Sequence, residues 1–138
     1  MDTDATVHKI LSGYDTITVV GASNAPAKPA HYVPEHMQQR GWRIVPVNPR
    51  GGIILGETAY ATLADAPPPG LVNLFRPSGH TPDFARQAVA TGASALWLQL
   101  HIESEEARRI AEEAGLLYVE NRCLLVEQRR LGLDAPRF

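Results

Sequence analysis

The chain has 138 residues, of which 44% are hydrophobic, and this is enough for one domain with a buried core. Thirteen basic and fifteen acidic residues give a formal net charge of −2, which argues against general nucleic-acid binding. A single cysteine excludes an internal disulfide and a multi-cysteine metal site.

The amino-terminal stretch MDTDATVHKILSG carries two acidic residues before a short apolar patch. A secretory signal needs a basic start and a longer apolar run. Nowhere does an apolar run reach the ~20 residues of a membrane-spanning helix. We therefore predict a single cytoplasmic domain over residues 1–138 that makes no membrane contact, with a short leading helix at 6–12.

Five short runs of aliphatic and β-branched residues follow, at 16–21, 42–47, 71–75, 94–100 and 116–120. Runs that are almost continuously apolar are typical of strands covered on both faces, as in a parallel sheet.

Helical segments separate these runs. One is predicted to begin near Pro34, one has Thr81 as its N-cap, one has Ser104 as its N-cap, and a last one covers 123–131. Alternating strands and helices predict an α/β fold. The expected architecture is Rossmann-like and doubly wound, with a mainly parallel five-stranded sheet and helices on both faces.

In such sheets ligands bind at the carboxyl ends of the strands, so the residues found there matter most. The first strand ends in Gly21-Ala22-Ser23. Glycine allows close approach to the backbone, and the Ser23 hydroxyl can donate to a phosphate. The next helix is expected to offer free N–H groups to an anion. A tight turn without a ligand is the alternative.

The second strand ends in IVPVNPRGG, where an NAD site would have an acid. Asn48 and Arg50 stand there instead, and the first carboxylate is Glu57. An amide and a cation suit a ribose that carries an extra phosphate, which leaves NADP and coenzyme A open. Arg50 as an ordinary solvated side chain is the other interpretation, although the flanking proline and glycines favour a ligand loop.

The later strands deliver further groups to the same edge, including Arg76, Gln99 and His101, and this convergence indicates a cleft. The histidines show no metal-ligand spacing, and neither a nucleophile elbow nor a Walker A sequence is present. We therefore predict no metal site and no catalytic residue. Cys123 is interpreted as a small buried apolar side chain, with a reactive thiol as the alternative.

Taken together, the stretches VVGAS with Lys28-Pro29, GWRIVPVNPRGG, LGETAYATLADAP, LVNLFRPS, ALWLQLHI and ENRCLLVEQRRL resemble a known family. It comprises the small stand-alone CoA-binding proteins related to the N-terminal domain of the succinyl-CoA synthetase α subunit. The resemblance spans roughly residues 10–131. It implies coenzyme A or an acyl-CoA as the cofactor, cradled by the first turn and the NPRGG loop.

The resemblance also implies which residues contact the ligand. Gly21, Ala22, Ser23 and Lys28 would contact the nucleotide phosphates; Asn48, Pro49 and Arg50 would border the adenosine and its 3′-phosphate; Phe75, Arg76, Pro77, Gln99 and Leu100 would line the continuing groove.

Two departures from the family are visible: it usually has serine where Ala30 stands, and often glycine where His101 stands. The active histidine of the synthetase lies in a following domain without a counterpart here, so ligase activity is not expected.

Three hypotheses follow. The leading one is a CoA-binding or acyl-CoA-binding module without catalysis of its own. The alternative is an NADP(H)-binding subunit or a nucleotide-using enzyme completed by a partner. The third is an interaction protein whose cleft stays empty. The acyl group, a homodimer and a partner enzyme are left open.

Overall fold

The computed structural model describes residues 2–76 and 78–138. The strands in this part of the chain are β1 Thr16–Val20, β2 Arg43–Val47, β3 Ile53–Ile54, β4 Glu57–Thr58, β5 Leu71–Leu74, β6 Ala95–Leu98 and β7 Leu117–Val119. The α-helices are α1 Thr3–Gly13, α2 Pro29–Gln39, α3 Thr81–Ala90, α4 Glu105–Glu113 and α5 Leu124–Leu131. In residues 2–76 and 78–138, no helix is both long and apolar enough to cross a membrane.

Five strands form one parallel sheet in the order β2-β1-β5-β6-β7, and β3 pairs with β4 as a separate antiparallel hairpin. The predicted Rossmann-like fold is confirmed. From β1 the chain moves outward to β2, and it then returns to the other side of β1 to form β5. This reversal of direction creates a crevice at the carboxyl ends of β1 and β5, where open α/β sheets bind ligands.

Helices cover the sheet on both faces, as the strand composition predicts. Side chains alternate along β1, so that Ile17 and Val19 belong to the core shared with α1, α2 and α5. Val20 belongs to the opposite core, shared with α3 and α4. Both tryptophans, Trp42 and Trp97, are fully buried in the first of these cores.

The prediction that α2 begins near Pro34 is wrong, because the helix begins at Pro29 and contains Pro34. Proline has no N–H, so the carbonyl of Ala30, four residues earlier, loses its partner within the helix. The backbone N–H of Ser23 donates to that carbonyl at 3.2 Å. Pro34 is therefore accommodated by a bond that ties the β1–α2 loop to the helix.

Two other helix starts also differ from expectation. Thr81 is the first residue of α3 rather than its N-cap, which is His80, and α1 begins at Thr3. The Asp2 carboxylate accepts from Ala5 N at 2.8 Å and so caps α1 earlier than the apolar pattern indicates. Ser104 caps α4 as predicted, accepting from Ala107 N at 3.1 Å.

Candidate functional site: a cleft of two cavities

A cavity of about 720 Å³, here called the first cavity, lies at the carboxyl ends of β1, β2 and β5. Gly21 follows β1 at this point with φ +90°, a conformation that favours glycine. A Cβ atom at Gly21 would stand 3.4 Å from Cβ of Phe75. The positive φ and the nearby Phe75 side chain both account for glycine at this position.

The backbone of this turn does not form the anion cradle that the sequence suggests. The N–H groups of Gly21 and Ala22 both donate to the carbonyl of Val47, at 3.0 and 3.2 Å. In the first turn of α2, Pro29 has no N–H and the next donors after Ala30 bond to the Lys28 carbonyl. Among the described residues of that turn, Ala30 alone keeps a free N–H. The expectation of several free donors in this turn is therefore wrong.

Ser23 retains a hydroxyl hydrogen for an outside acceptor. Its Oγ accepts from the backbone N–H of Ala25 at 3.0 Å, which orients the side chain in the loop. A hydroxyl group can donate one bond while it accepts others. The predicted contact from Ser23 to a ligand thus fits its surroundings.

The NPRGG stretch forms a turn that presents Arg50. Asn48 Oδ1 accepts from Arg50 N at 2.8 Å, and the Asn48 carbonyl accepts from Gly51 N at 2.8 Å. These four residues form a β-turn, which favours asparagine at its first position, proline at its second and glycine at its fourth. The Asn48 amide also donates to the Ala22 carbonyl at 2.8 Å. Asn48 therefore holds the two loops of the first cavity together.

The β3–β4 hairpin completes the rim of the first cavity. Asn24 Nδ2 donates to the carbonyl of Ile53 at 2.9 Å, and Gln38 Nε2 donates to that of Leu55 at 3.0 Å. These bonds fix the hairpin to the β1–α2 loop and to α2. Ile54 of the hairpin is buried and lines the cavity.

Lys28, Arg50 and Arg76 line the first cavity. Lys28 and Arg50 are exposed, whereas Arg76 is half-buried, with its guanidinium 6.0 Å from the centre of the Phe84 ring. Its Nε is buried and has no hydrogen-bond partner among residues 2–76 and 78–138. All ion pairs of the described residues lie elsewhere. Because no described Asp or Glu lines the cavity, its positive charge is not neutralised from within.

A second cavity of about 330 Å³ adjoins the first and shares Lys28, Ala30 and Phe75 with it. Most of its wall is apolar, formed by side chains that include Tyr32 and Leu100. The two cavities together make an elongated cleft that is cationic at one end and mainly apolar at the other.

A set of hydrogen bonds joins β6 and the segment after it to the segment before α5, beside the second cavity. His101 N donates to Asn121 Oδ1 at 2.8 Å, and Trp97 Nε1 donates to the Arg122 carbonyl at 2.8 Å. His101 has φ +70°, a left-handed conformation that is strained for a residue with a side chain. This is the position at which the resembling family often has glycine.

The structure brings the predicted site residues together. Nine line the first cavity, namely Gly21, Ala22, Ser23, Lys28, Asn48, Pro49, Arg50, Phe75 and Arg76. Gln99 and Leu100 line the second, with Lys28 and Phe75 at the junction. Pro77 lies outside the described residues. Their contact with a ligand stays a prediction.

Sequence reasoning missed part of the second cavity. Tyr32 and Val33 escape notice because α2 begins five residues earlier than its apolar pattern suggests. Cys123, interpreted as a buried apolar side chain, is half-buried and lines this cavity. Its place immediately before α5, at the edge where the strands end, is the signal that could have revealed it.

The fold and the cleft define a Rossmann-like domain with a cationic cavity at the switch point of its sheet. The chain belongs to the family described as CoA binding domain, which matches residues 15–129. The resemblance seen in the sequence is thereby confirmed.

Proteins similar to this chain include an uncharacterized relative and solved structures. The uncharacterized protein YneT of Bacillus subtilis is 34% identical over 123 residues, which cover 88% of this chain and 91% of that protein. A solved structure from Thermus thermophilus, cell-free ID.343, is 39% identical with a TM-score of 0.88 and covers 95% of this chain and 99% of its own. The acetyl-coenzyme A synthetase 1 of Ca. Korarchaeum cryptofilum shares the fold at 20% identity and a TM-score of 0.71, over 83% of this chain and 27% of that one.

Proposed function

We propose that this protein binds coenzyme A or an acyl-CoA along the two cavities, as a module without turnover of its own. The phosphates lie in the first cavity and the pantetheine arm extends into the second. The observation that carries the proposal is the unneutralised cluster of Lys28, Arg50 and Arg76 at one end of a cleft whose other end is apolar.

The charges of the ligand and of the first cavity are complementary. Coenzyme A carries a diphosphate and a ribose 3′-phosphate, and three cationic side chains are available to them. A hydrogen bond to a charged group contributes about 1.5–3 kcal/mol. Contacts of this size from Lys28, Arg50 and Arg76 support a dissociation constant on the order of micromolar after the costs of association are subtracted.

The second cavity favours coenzyme A over NADP. Both ligands carry an extra phosphate on a ribose, so Arg50 alone does not separate them. The arm of coenzyme A is a flexible chain without charge, which suits a mainly apolar cavity that adjoins the first one. NADP would instead extend a second ribose and a nicotinamide ring in this direction.

Thermal unfolding in the presence of ligands tests the proposal. A ligand at 100 times its dissociation constant stabilises the folded state by about 2.7 kcal/mol. We expect CoA and acetyl-CoA to raise the melting temperature more than NADPH, and NAD to leave it unchanged. No shift with CoA or acetyl-CoA at millimolar concentration would contradict the proposal, and a larger shift with NADPH would favour the NADP-binding alternative.

Matched variants separate the site from general charge effects. Arg50→Ala and Lys28→Ala should weaken CoA binding without changing the melting temperature of the free protein. Their controls are Arg43→Ala, at the opposite end of β2, and Lys9→Ala on α1, both exposed. Equal losses in site and control variants would show that overall charge, rather than the cleft, attracts the ligand.

A further inference from the structure

The second cavity contains three groups that phosphate recognition does not use. They are the thiol of Cys123, the amide of Gln99 and the imidazole of His101. Cys123 is the only cysteine of the chain, and it occupies the N-cap position of α5 without forming a side-chain capping bond. A ligand that reaches from the first cavity into the second would bring its far end to this thiol.

The Gln99 amide is oriented by the protein and has an unused donor. The residue is 4% exposed, and its Oε1 accepts from Asn73 Nδ2 and from Leu124 N, both at 3.4 Å. Because the backbone N–H of Leu124 is only a donor, the oxygen must face it and the nitrogen must face away. Among the described residues Nε2 has no partner. Because Gln99 lines the second cavity, this donor is available to a carbonyl oxygen of a bound ligand.

Hydrogen bonds connect the chain segments that carry these three residues. The residue that donates to Gln99 Oε1 is Leu124, the neighbour of Cys123. His101 is bonded through its backbone N–H to Asn121 Oδ1, two residues before Cys123. The segments that carry Gln99, His101 and Cys123 are therefore joined to one another, and all three residues line the same cavity.

We propose that Cys123 accepts an acyl group from an acyl-CoA thioester held along the cleft. The inference rests on the proposed function, because the first cavity must hold the nucleotide. A carbonyl oxygen next to the ligand's sulfur accepts from Gln99 Nε2, which places the carbonyl carbon before the Cys123 sulfur. The apolar wall surrounds the acyl group.

The exchange balances without an oxidant or reductant. The Cys123 thiol gives its proton to the His101 imidazole, and its sulfur forms a bond to the thioester carbonyl carbon. The carbon–sulfur bond to CoA then breaks, and the departing sulfur takes the proton back from His101. The products are S-acyl-Cys123 and free CoA. One thioester replaces another, and the helix N-terminus at the N-cap favours the negative charge that the sulfur carries during the exchange.

The experiment incubates the full chain with acetyl-CoA in the presence of a reductant and follows the intact mass and the release of free CoA. We expect the mass to rise by one acetyl group, with one CoA released per chain, and excess CoA to reverse the reaction. Cys123→Ala should abolish the adduct, and its cooperative thermal unfolding without ligand should show that the variant is folded. Gln99→Leu should slow its formation by about tenfold or more, as the loss of a donor to a developing oxyanion does.

Two controls distinguish the cleft from ordinary thiol reactivity. Ser12→Cys in the Cys123→Ala protein places the single thiol on the exposed surface of α1 and should acylate far more slowly. Adenosine 3′,5′-bisphosphate, which lacks the arm, should slow acylation of the unmodified chain by competing for the first cavity. Equal rates at both thiols, or no competition, would overturn the inference.

The remaining outcomes are also decisive. If acetyl-CoA raises the melting temperature but no acetyl adduct forms, the inference is overturned and the proposed function stands. If neither CoA nor acetyl-CoA raises it, the proposed function fails and the inference falls with it.

Discussion

Arginine has opposite roles in two regions of this molecule. Beside α5, Arg122 and Arg130 converge on the buried carboxylate of Glu127, at 2.8 and 2.6 Å. At the carboxyl ends of the strands, Arg50 and Arg76 share a cavity with no described carboxylate. The first group neutralises charge within the fold, whereas the second leaves positive charge facing a cleft.

The difference shows how cations of a candidate binding site can be distinguished from cations that stabilise the fold. Guanidinium groups that serve stability have carboxylate partners in the protein, because an unpaired buried charge is costly. Cations that lack such partners and line a cavity are available to an anion from outside. The candidate site is therefore marked by three cations that lack carboxylate partners and line the same cavity.

The largest expected effect on stability is at Glu127, which is 4% exposed. Glu127→Ala should lower the free energy of unfolding by about 2 kcal/mol, less than for a fully buried pair because both arginines can turn toward water. Chemical denaturation measures this loss. Glu113→Ala, an exposed control on α4, should stay within about 0.5 kcal/mol of the unmodified protein. CoA affinity should be unchanged in both variants. A lower CoA affinity in Glu127→Ala would contradict the separation of the two regions.

The largest effect on binding is expected at Arg50. Arg50→Ala should reduce CoA affinity by about tenfold to a hundredfold, since one charge-assisted hydrogen bond contributes about 1.5–3 kcal/mol. Its stability should stay unchanged, because the side chain has no ion pair among the described residues. Calorimetric titration measures the affinity and thermal unfolding the stability. A destabilised variant that binds normally would assign Arg50 to the structural group.

Salt should separate the regions further. Exposed charges are screened within about 8–10 Å at moderate ionic strength, whereas buried pairs are screened much less. Raising the salt concentration should therefore weaken CoA binding several-fold and change the melting temperature of the free protein little. Affinity measured in parallel at low and high salt tests this. An affinity independent of salt would mean that the cations do not contact the ligand.

A smaller effect is expected from pH. Burial raises the pKa of Glu127, but hydrogen bonds from Arg122 and Arg130 lower it more, so the folded-state pKa lies below the ordinary value of 4.5. The unfolded chain then binds the proton more readily than the folded chain, so the free energy of unfolding decreases as the pH is lowered. This contribution is complete above pH 4.5 and is lost as pH falls through the folded-state pKa. Denaturation of Glu127→Gln should show a shallower acid loss, and equal slopes would contradict the assignment.

The strands and their convergence at one edge could be predicted from the sequence, because near-continuous apolar runs such as WRIVPV identify buried parallel strands. The hydrogen-bond partners of the backbone N–H groups at this edge could not be predicted. Val47 takes the N–H groups of Gly21 and Ala22, and the Ser23 N–H serves the carbonyl that Pro34 leaves without a donor. Such partners depend on tertiary contacts between segments that are distant in the sequence.

The candidate site was predictable for residues that follow a strand directly, such as Arg50 and Gln99. It was less so for the second cavity, because the start of α2 decides where Tyr32 and Val33 lie. The apolar pattern alone did not locate the first residue of α2, because proline usually stands in the first turn of a helix and Pro34 lies inside this one. The chemical meaning of Cys123 likewise depends on a neighbour, Gln99, whose amide orientation only the fold reveals.

The most direct test compares CoA with 3′-dephospho-CoA in the unmodified protein and in Arg50→Ala by calorimetric titration. If Arg50 binds the ribose 3′-phosphate, removal of that phosphate weakens binding to the unmodified protein by about tenfold or more and hardly affects the variant. The account is contradicted if both proteins lose the same affinity with the phosphate, or if neither binds CoA.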